Sequence, residues 1–221
     1  MKILLTGASG MVGQAALAAC IADPAVTEVV ALVRKPLGID HPRVKEVVCL
    51  NLFKLVRVLD QIGKPDACLF CAGVSSVGMT EAVYRRDTYE MTLAVARELY
   101  GLNPAMHFLY VSGVGTDSTE KGNTMWARVK GATENALTKI GFAGVALFRP
   151  GYIQPIGGVK SKVGWYNAIY MVAAPLYPLL KKLFPRAVTD TRTLGRAMLA
   201  AVQPGMPTAV YEPADINRIG K

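Results

Sequence analysis

Close to its N-terminus the chain runs from a short apolar stretch, Ile3-Leu4-Leu5, into Thr6-Gly7-Ala8-Ser9-Gly10-Met11-Val12-Gly13, and from there into an alanine-rich segment ending near Ala22. A strand, a glycine-rich turn and a helix in that order constrain the fold more than any other feature of the sequence. Gly7 supplies the tight turn, Gly10 lets the backbone approach a ligand, and Gly13 lets the helix lie close to the sheet. The helix start offers free N–H groups and the positive end of a dipole, which suits a pyrophosphate. Ser9, Met11 and Val12 complete the predicted cradle. The plain alternative is an ordinary strand-to-helix turn.

Six apolar runs, at residues 3–5, 26–33, 44–50, 67–71, 106–112 and 145–148, alternate with helical patterns at 11–22, 53–62, 80–100 and 123–140. This alternation predicts βαβ units. The expected fold is an α/β Rossmann fold, a doubly wound parallel sheet with helices on both faces. Beyond Pro150 the pattern changes. A loop at 157–161, one or two apolar helices over 165–184, a helix at 191–202 and an edge strand at 209–211 are expected. Residues 1–221 then form one domain, with 151–221 as a small helical region on the substrate or interface side.

The end of the second strand reads Ala31-Leu32-Val33-Arg34-Lys35. An acidic residue there would bind the ribose 2′-hydroxyl of NAD, whereas an arginine suits the 2′-phosphate of NADP. Arg34 and Lys35 therefore predict NADP(H), against the alternative of a solvated basic loop.

With 52% hydrophobic and 19% charged residues, the 221-residue chain has the composition of a packed globular protein. Its net charge of +9 admits nucleic acid, an anionic membrane or a phosphorylated ligand. No nucleic-acid motif accompanies the charge, so no nucleic-acid partner is expected. Cys68 and Cys71 have a C-x-x-C spacing but sit in an apolar strand pattern, away from any helix start. Buried free thiols are expected and no metal site. His41 and His107 read as structural. The N-terminal residues contain no secretory h-region, from which a cytoplasmic location is expected.

With these residues placed, the chain resembles the atypical short-chain dehydrogenase/reductase family, small NAD(P)-binding proteins similar to NAD-dependent epimerases and dehydratases. The resemblance covers about the first 155 residues and rests on the Gly7, Gly10, Gly13 spacing and five later segments. Cys49-Leu50-Asn51-Leu52 matches the family's adenine contact, implying that role for Asn51 and Leu52. Cys71-Ala72-Gly73 matches the small residues that lie over the cofactor. Tyr110-Val111-Ser112 matches the strand end bearing a catalytic-type serine. Lys130-Gly131-Ala132-Thr133-Glu134 matches the lysine-bearing helix, and Lys130 is implied to bind the nicotinamide ribose. Arg149-Pro150-Gly151-Tyr152-Ile153 matches the nicotinamide loop, implying contacts from Pro150, Gly151 and Ile153. The implied activity is that of an NADP(H)-dependent oxidoreductase or epimerase-like enzyme acting on a small carbonyl or hydroxyl compound.

Active members of that family use a serine, a tyrosine and a lysine four residues after the tyrosine. The tyrosine moves the substrate proton, the lysine lowers the tyrosine pKa and the serine orients the substrate oxygen. Here position 126 is tryptophan, which has only an indole N–H. Tyr152 is the leading replacement, ahead of Tyr84 and Tyr89, with Ser112 and Lys130 as its expected companions. Ser75 and Ser76 are further hydroxyls near the strand ends. Trp126 itself reads as a pocket wall. The second reading is a non-catalytic NADPH-binding sensor.

Residues 163–180 are unusually apolar, and Lys181, Lys182 and Arg186 follow. Asn167, Pro175 and Pro178 interrupt the run, against a membrane span. A pocket lid or a homodimer interface is expected, and a membrane-surface segment is the alternative.

Overall fold

The computed structural model describes residues 1–156 and 187–221. Seven strands form one parallel sheet: β1 (Lys2–Thr6), β2 (Glu28–Val33), β3 (Val44–Val48), β4 (Ala67–Phe70), β5 (His107–Val111), β6 (Gly144–Phe148) and β9 (Ala209–Tyr211). Their order is β3-β2-β1-β4-β5-β6-β9. The chain is an α/β protein of Rossmann type. Leu4 pairs with Val30 on one side and Cys68 on the other, so β1 is the central strand. Its neighbours on either side come from opposite directions of winding, which opens a crevice at the carboxyl ends of β1 and β4.

Strands β1, β2, β4, β5 and β6 are buried on both faces, as a covered parallel sheet requires, while the edge strands β3 and β9 are partly exposed. Alternate side chains separate into two cores. Ile3, Leu5, Val29, Ala31 and Leu69 face α1 (Met11–Ala22) and α6 (Thr191–Ala200). Leu4, Val30, Cys68, Phe70 and Phe108 face α4 (Met91–Leu102), α5 (Met125–Leu137) and the turn at Leu52–Val58. Phe108 stacks between Phe70 and Phe142, with ring centroids at 5.8 and 5.1 Å.

Two expected helices are irregular. Residues 53–62 form a 3-10 turn, Leu52–Val58, followed by the short α2 (Leu59–Ile62). The turn is kinked at Lys54 (φ −113°, ψ 30°), and Asn51 caps its start by accepting from Phe53 N at 3.0 Å. The expected helix at 80–100 begins as α3 (Glu81–Arg85), passes through a π turn at Arg86–Glu90 and continues as α4. Thr80 caps its first turn, and it ends at Asn103, whose amide donates to Pro65 O at 2.8 Å. Gly101 lies inside the last turn and does not stop it.

The C-terminal region adds elements with no clear local signal. β7 (Tyr152–Gln154) pairs in parallel with β8 (Val188–Asp190) in a separate two-stranded sheet, and α7 (Pro213–Ile219) closes the chain. The helix at 191–202 and the strand at 209–211 occur as α6 and β9. The loop expected at 157–161 and the apolar segment at 163–184 lie outside the described residues. Among the described residues no helix is long and apolar enough to cross a membrane.

Candidate functional site

The glycine turn sits at the crevice between β1 and β4. Gly7 has φ +72°, and a Cβ there would lie 2.5 Å from Cys71 O and 2.8 Å from Ala72 N. The end of β4 therefore presses directly against the turn. A Cβ on Gly13 would lie 2.1 Å from Gly7 O, so only glycine allows α1 to start this close to the turn. Gly10 N donates to Gly7 O at 2.9 Å, and Gln14 Nε2 donates to Ser9 O at 3.1 Å. Gly10 is the N-cap of α1, with no side-chain cap and no acidic residue in the first turn. The N–H groups of the first turn, from Met11 and Val12 onward, have no intrahelical acceptor. This cradle has the shape and polarity that a pyrophosphate requires.

The surrounding positions are arranged along the strand ends. Cys71 and Ala72 are half-buried and Gly73 is exposed. Ala72 N donates to Thr6 Oγ1 at 3.1 Å, which ties the end of β4 to that of β1. Arg34 and Lys35 are exposed just beyond β2. Neither guanidinium nor ammonium has a hydrogen bond or ion pair among the described residues. Leu52 is half-buried beside the exposed Asn51, whose side-chain oxygen is occupied by Phe53 N.

A second group of residues surrounds α5. Lys130 Nζ donates to the backbone carbonyl of Ser112 at the end of β5. Burial pushes the Lys130 ammonium down to about 8, partly offset by the charge of Glu134 one turn further on. Glu134 is only 1% exposed. It receives Arg149 side-on, with Nε at 3.1 and 3.2 Å and Nη2 closer still. Arg149 also donates to Glu212 Oε1 at 3.2 Å and to Ser118 Oγ at 2.5 Å. The guanidinium thus joins α5, the loop after β5 and the start of α7. Such a buried pair is costly to break, because the remaining charge is left without a partner.

This network settles where the Ser112 hydroxyl points. Its Oγ lies 2.5 Å from Glu134 Oε1 and 3.0 Å from Phe148 O. Both are acceptors, so its single proton is committed inward. The structure brings Ser112 and Lys130 together through the Ser112 carbonyl, not through its hydroxyl. Trp126 is half-buried one turn before Lys130, and a Cβ on Gly115 would lie 3.6 Å from its ring. The Tyr152 hydroxyl donates to Gln154 Oε1 at 2.8 Å within β7, and burial raises its pKa. Pro150 O accepts from Val114 N at 3.0 Å, Gly151 packs on Ala187 O and Ile153 is buried. These contacts fix the loop after β6 beside the loop after β5.

Tyr84 is buried and Tyr89 lies under Arg85, 4.2 Å from its guanidinium carbon to the ring centroid. Ser75 accepts from Val77 N at 3.3 Å in the loop after β4, and Ser76 is half-buried there. The four cysteines are free. Burial pushes the Cys20 thiol up to about 12 and raises Cys68 and Cys71 further, so these thiols stay protonated and unreactive. The Glu134–Arg149 pair escaped the reading of the sequence. Its only trace there is a glutamate in one matched segment and an arginine in another, fifteen residues apart in sequence.

A family model described as the NAD dependent epimerase/dehydratase family matches residues 3–133, more than half of the chain. The protein named "Protein fmp52-2, mitochondrial" from Aspergillus terreus is 24% identical over 229 residues, covering 97% of this chain and 95% of that one. "Protein fmp52, mitochondrial" from Emericella nidulans is 27% identical over 160 residues, covering 69% of this chain and 66% of that one. The crystal structure of the Bordetella bronchiseptica enzyme WbmH in complex with NAD+ superimposes with a TM-score of 0.65 at 18% identity, covering 96% of this chain and 75% of that one. The expected cytoplasmic location does not stand, since both relatives are named mitochondrial. That expectation rested on a missing secretory h-region, which bears on the secretory route alone.

Proposed function

The chain belongs to the NAD dependent epimerase/dehydratase family, and from that premise we propose that it binds NADP(H) over β1 and β4 as an oxidoreductase or epimerase-like enzyme. The substrate class is a small carbonyl or hydroxyl compound. The observation that carries the reading is the start of α1 behind Gly7 and Gly13, where among the described residues no side chain caps the helix and no acidic residue stands in its first turn. The bound NAD+ of WbmH, on the same fold, supports a dinucleotide as the ligand.

Met11 and Val12 offer their N–H groups to the pyrophosphate, and Ser9 and Gly10 shape its approach. Arg34 and Lys35, exposed at the end of β2 and without an ion pair among the described residues, favour a 2′-phosphate over a 2′-hydroxyl. Asn51 and Leu52 border the adenine side, with the Asn51 oxygen engaged by Phe53 N. Cys71, Ala72 and Gly73 form the floor, and Pro150, Gly151 and Ile153 the far wall. When bound, the dinucleotide supplies or accepts a hydride at the substrate carbon. Lys130 holds the nicotinamide ribose, exchanging the Ser112 carbonyl for ribose hydroxyls.

Proton transfer falls to Tyr152 or to a group on the substrate, because Trp126 has no hydroxyl and Ser112 turns inward. That same substitution favours a second reading, a non-catalytic NADPH sensor that binds the cofactor and turns nothing over. The test is a fluorescence titration of wild type and Arg34→Ala with NADPH and with NADH. Wild type should prefer NADPH by at least about tenfold, and Arg34→Ala should erase most of the preference, the loss of one charge-assisted contact. Equal affinities in wild type would overturn the NADP assignment. Turnover of carbonyl compounds by NADPH-loaded protein then separates enzyme from sensor.

A further inference from the structure

The loops that leave β4 and β5 at their carboxyl ends share a bias in composition. Residues 71–80 and 112–116 contain no acidic or basic side chain, and neither does the start of α5 at Met125-Trp126-Ala127. The same segments set valines in water. Val77 is 75% exposed, Val114 53% and Val74 43%. Met79, Met125 and Trp126, in these segments too, are half-buried. A single exposed valine is ordinary. Three on the loops of two paired strands, at the sheet edge where ligands of this fold bind, mark a binding surface.

The segments are tied into one mouth. Arg128 of α5 reaches Glu81 Oε2, just past the β4 loop, at 2.7 Å and donates to Gly122 O at 2.7 Å. A Cβ on Gly115 would lie 3.6 Å from the Trp126 ring, which sets the indole against the β5 loop. Val114 N donates to Pro150 O at 3.0 Å and brings in the loop after β6. Charged groups further along these loops are engaged by protein. Asp117 accepts from Thr119 N at 2.9 Å and Gly122 N at 2.7 Å. Arg149 is held by Glu134 and Glu212. Glu120 turns away to Asn135 of α5, and the exposed Lys121 follows it. Two hydroxyls are committed as well: Thr116 Oγ1 donates to Gly113 O at 2.7 Å, and Ser75 Oγ accepts from Val77 N.

On the reading that a dinucleotide lies over β1 and β4, we propose that Val74, Val77, Val114 and Trp126 form the mouth of the substrate site and select an uncharged, apolar carbonyl compound. An aliphatic or aromatic aldehyde or ketone, or the matching alcohol, fits this description. A phosphorylated or carboxylate substrate needs a cation to replace its water, and residues 71–80, 112–116 and 125–127 supply none. A polyhydroxylated substrate would turn its hydroxyls onto valine. Trp126, with a flat apolar face and one N–H donor, suits an apolar body.

Acetophenone and 4-acetylbenzoate share a ring and a ketone and differ by one carboxylate. Each is titrated into the full chain by saturation-transfer NMR, alone and with NADP+, which holds no hydride to give. Wild type should bind acetophenone at least about tenfold more tightly than 4-acetylbenzoate, since the mouth cannot repay the desolvation of a carboxylate. Val77→Lys/Val114→Lys should reverse the preference by pairing with the carboxylate. Val56→Lys/Val210→Lys, an equal charge change at exposed valines outside the mouth, should keep it. Thermal midpoints near wild type check folding, and Val77→Ser/Val114→Ser, which should weaken acetophenone severalfold, replaces the lysine pair if its midpoint falls. No saturable binding of acetophenone, equal wild-type affinities for the two ketones, or the same change in both lysine variants would overturn the proposal. Failure of NADP+ to bind would sink the dinucleotide reading instead, and the titrations without cofactor would still decide the mouth.

Discussion

Lys130 carries the clearest tension between stability and function at the level of single residues. Its ammonium is partly desolvated and its pKa falls to about 8, below the ordinary 10.5. Between those values the unfolded chain still holds the proton that the folded chain has released. Unfolding therefore takes up a proton, and stability rises with pH through that window at up to about 1.4 kcal/mol per pH unit. Below pH 8 both states are protonated and the burial penalty is constant. Lys130→Met should remove this rise, seen as a flatter difference between urea-unfolding free energies at pH 8 and pH 10; an unchanged slope would show that the ammonium is not desolvated. The lysine's place on α5 is legible in the sequence from the segment around it. The inward turn of the Ser112 hydroxyl is not, because it depends on Glu134 and Phe148, which meet Ser112 only once β5, β6 and α5 are packed.

Among the elements, α1 and α6 pack so closely that only a glycine fits where they cross. A Cβ on Gly195 would lie 2.3 Å from Ala15 O and 3.1 Å from Ala19 Cβ, so the two helices cross almost backbone to backbone. Gly195→Val should force them apart at a cost of roughly 1–3 kcal/mol, the usual penalty of overpacking. Chemical denaturation reads the loss, and faster amide exchange along α1 locates it. Because α1 starts at the glycine turn, that variant should also weaken dinucleotide binding without touching the site. The sheet strands and α1 were legible as local apolar patterns. β7 and β8 were not, because each has three residues and finds its partner more than thirty positions away. The π turn was equally hidden, since its irregularity lies in hydrogen bonding and leaves the apolar period of 80–100 almost intact.

For the molecule as a whole, the winding order places one crevice at the ends of β1 and β4, and the glycine turn opens into it. The basic residues divide between two surfaces of different character. Arg34 and Lys35 lie at the crevice, while Arg85, Arg97 and Lys139 are exposed on α3, on α4 and just past the end of α5. The cofactor side of the crevice follows from sequence order, because a turn between two consecutive elements builds it. The region after Pro150, proposed as the substrate side, was less legible, because β7 and β8 find their partners far along the chain and the apolar segment at 163–184 lies outside the described residues.

The central claim is that a dinucleotide pyrophosphate sits on the start of α1, and Gly10→Asp tests it most directly. Gly10 has φ −87° and ψ 163°, an ordinary extended N-cap, and a Cβ there meets only Gly7 O at 3.4 Å. Aspartate is a favoured N-cap and complements the helix dipole, so the variant should be as stable as wild type or more so, by roughly 0.5–1 kcal/mol. The same carboxylate occupies the N–H groups and repels phosphate. Calorimetric titration with NADPH should show one site in wild type and at least a hundredfold weaker binding in Gly10→Asp, with an equal or higher melting temperature. Wild-type affinity in the variant, or no binding of either dinucleotide to wild type, would contradict the account.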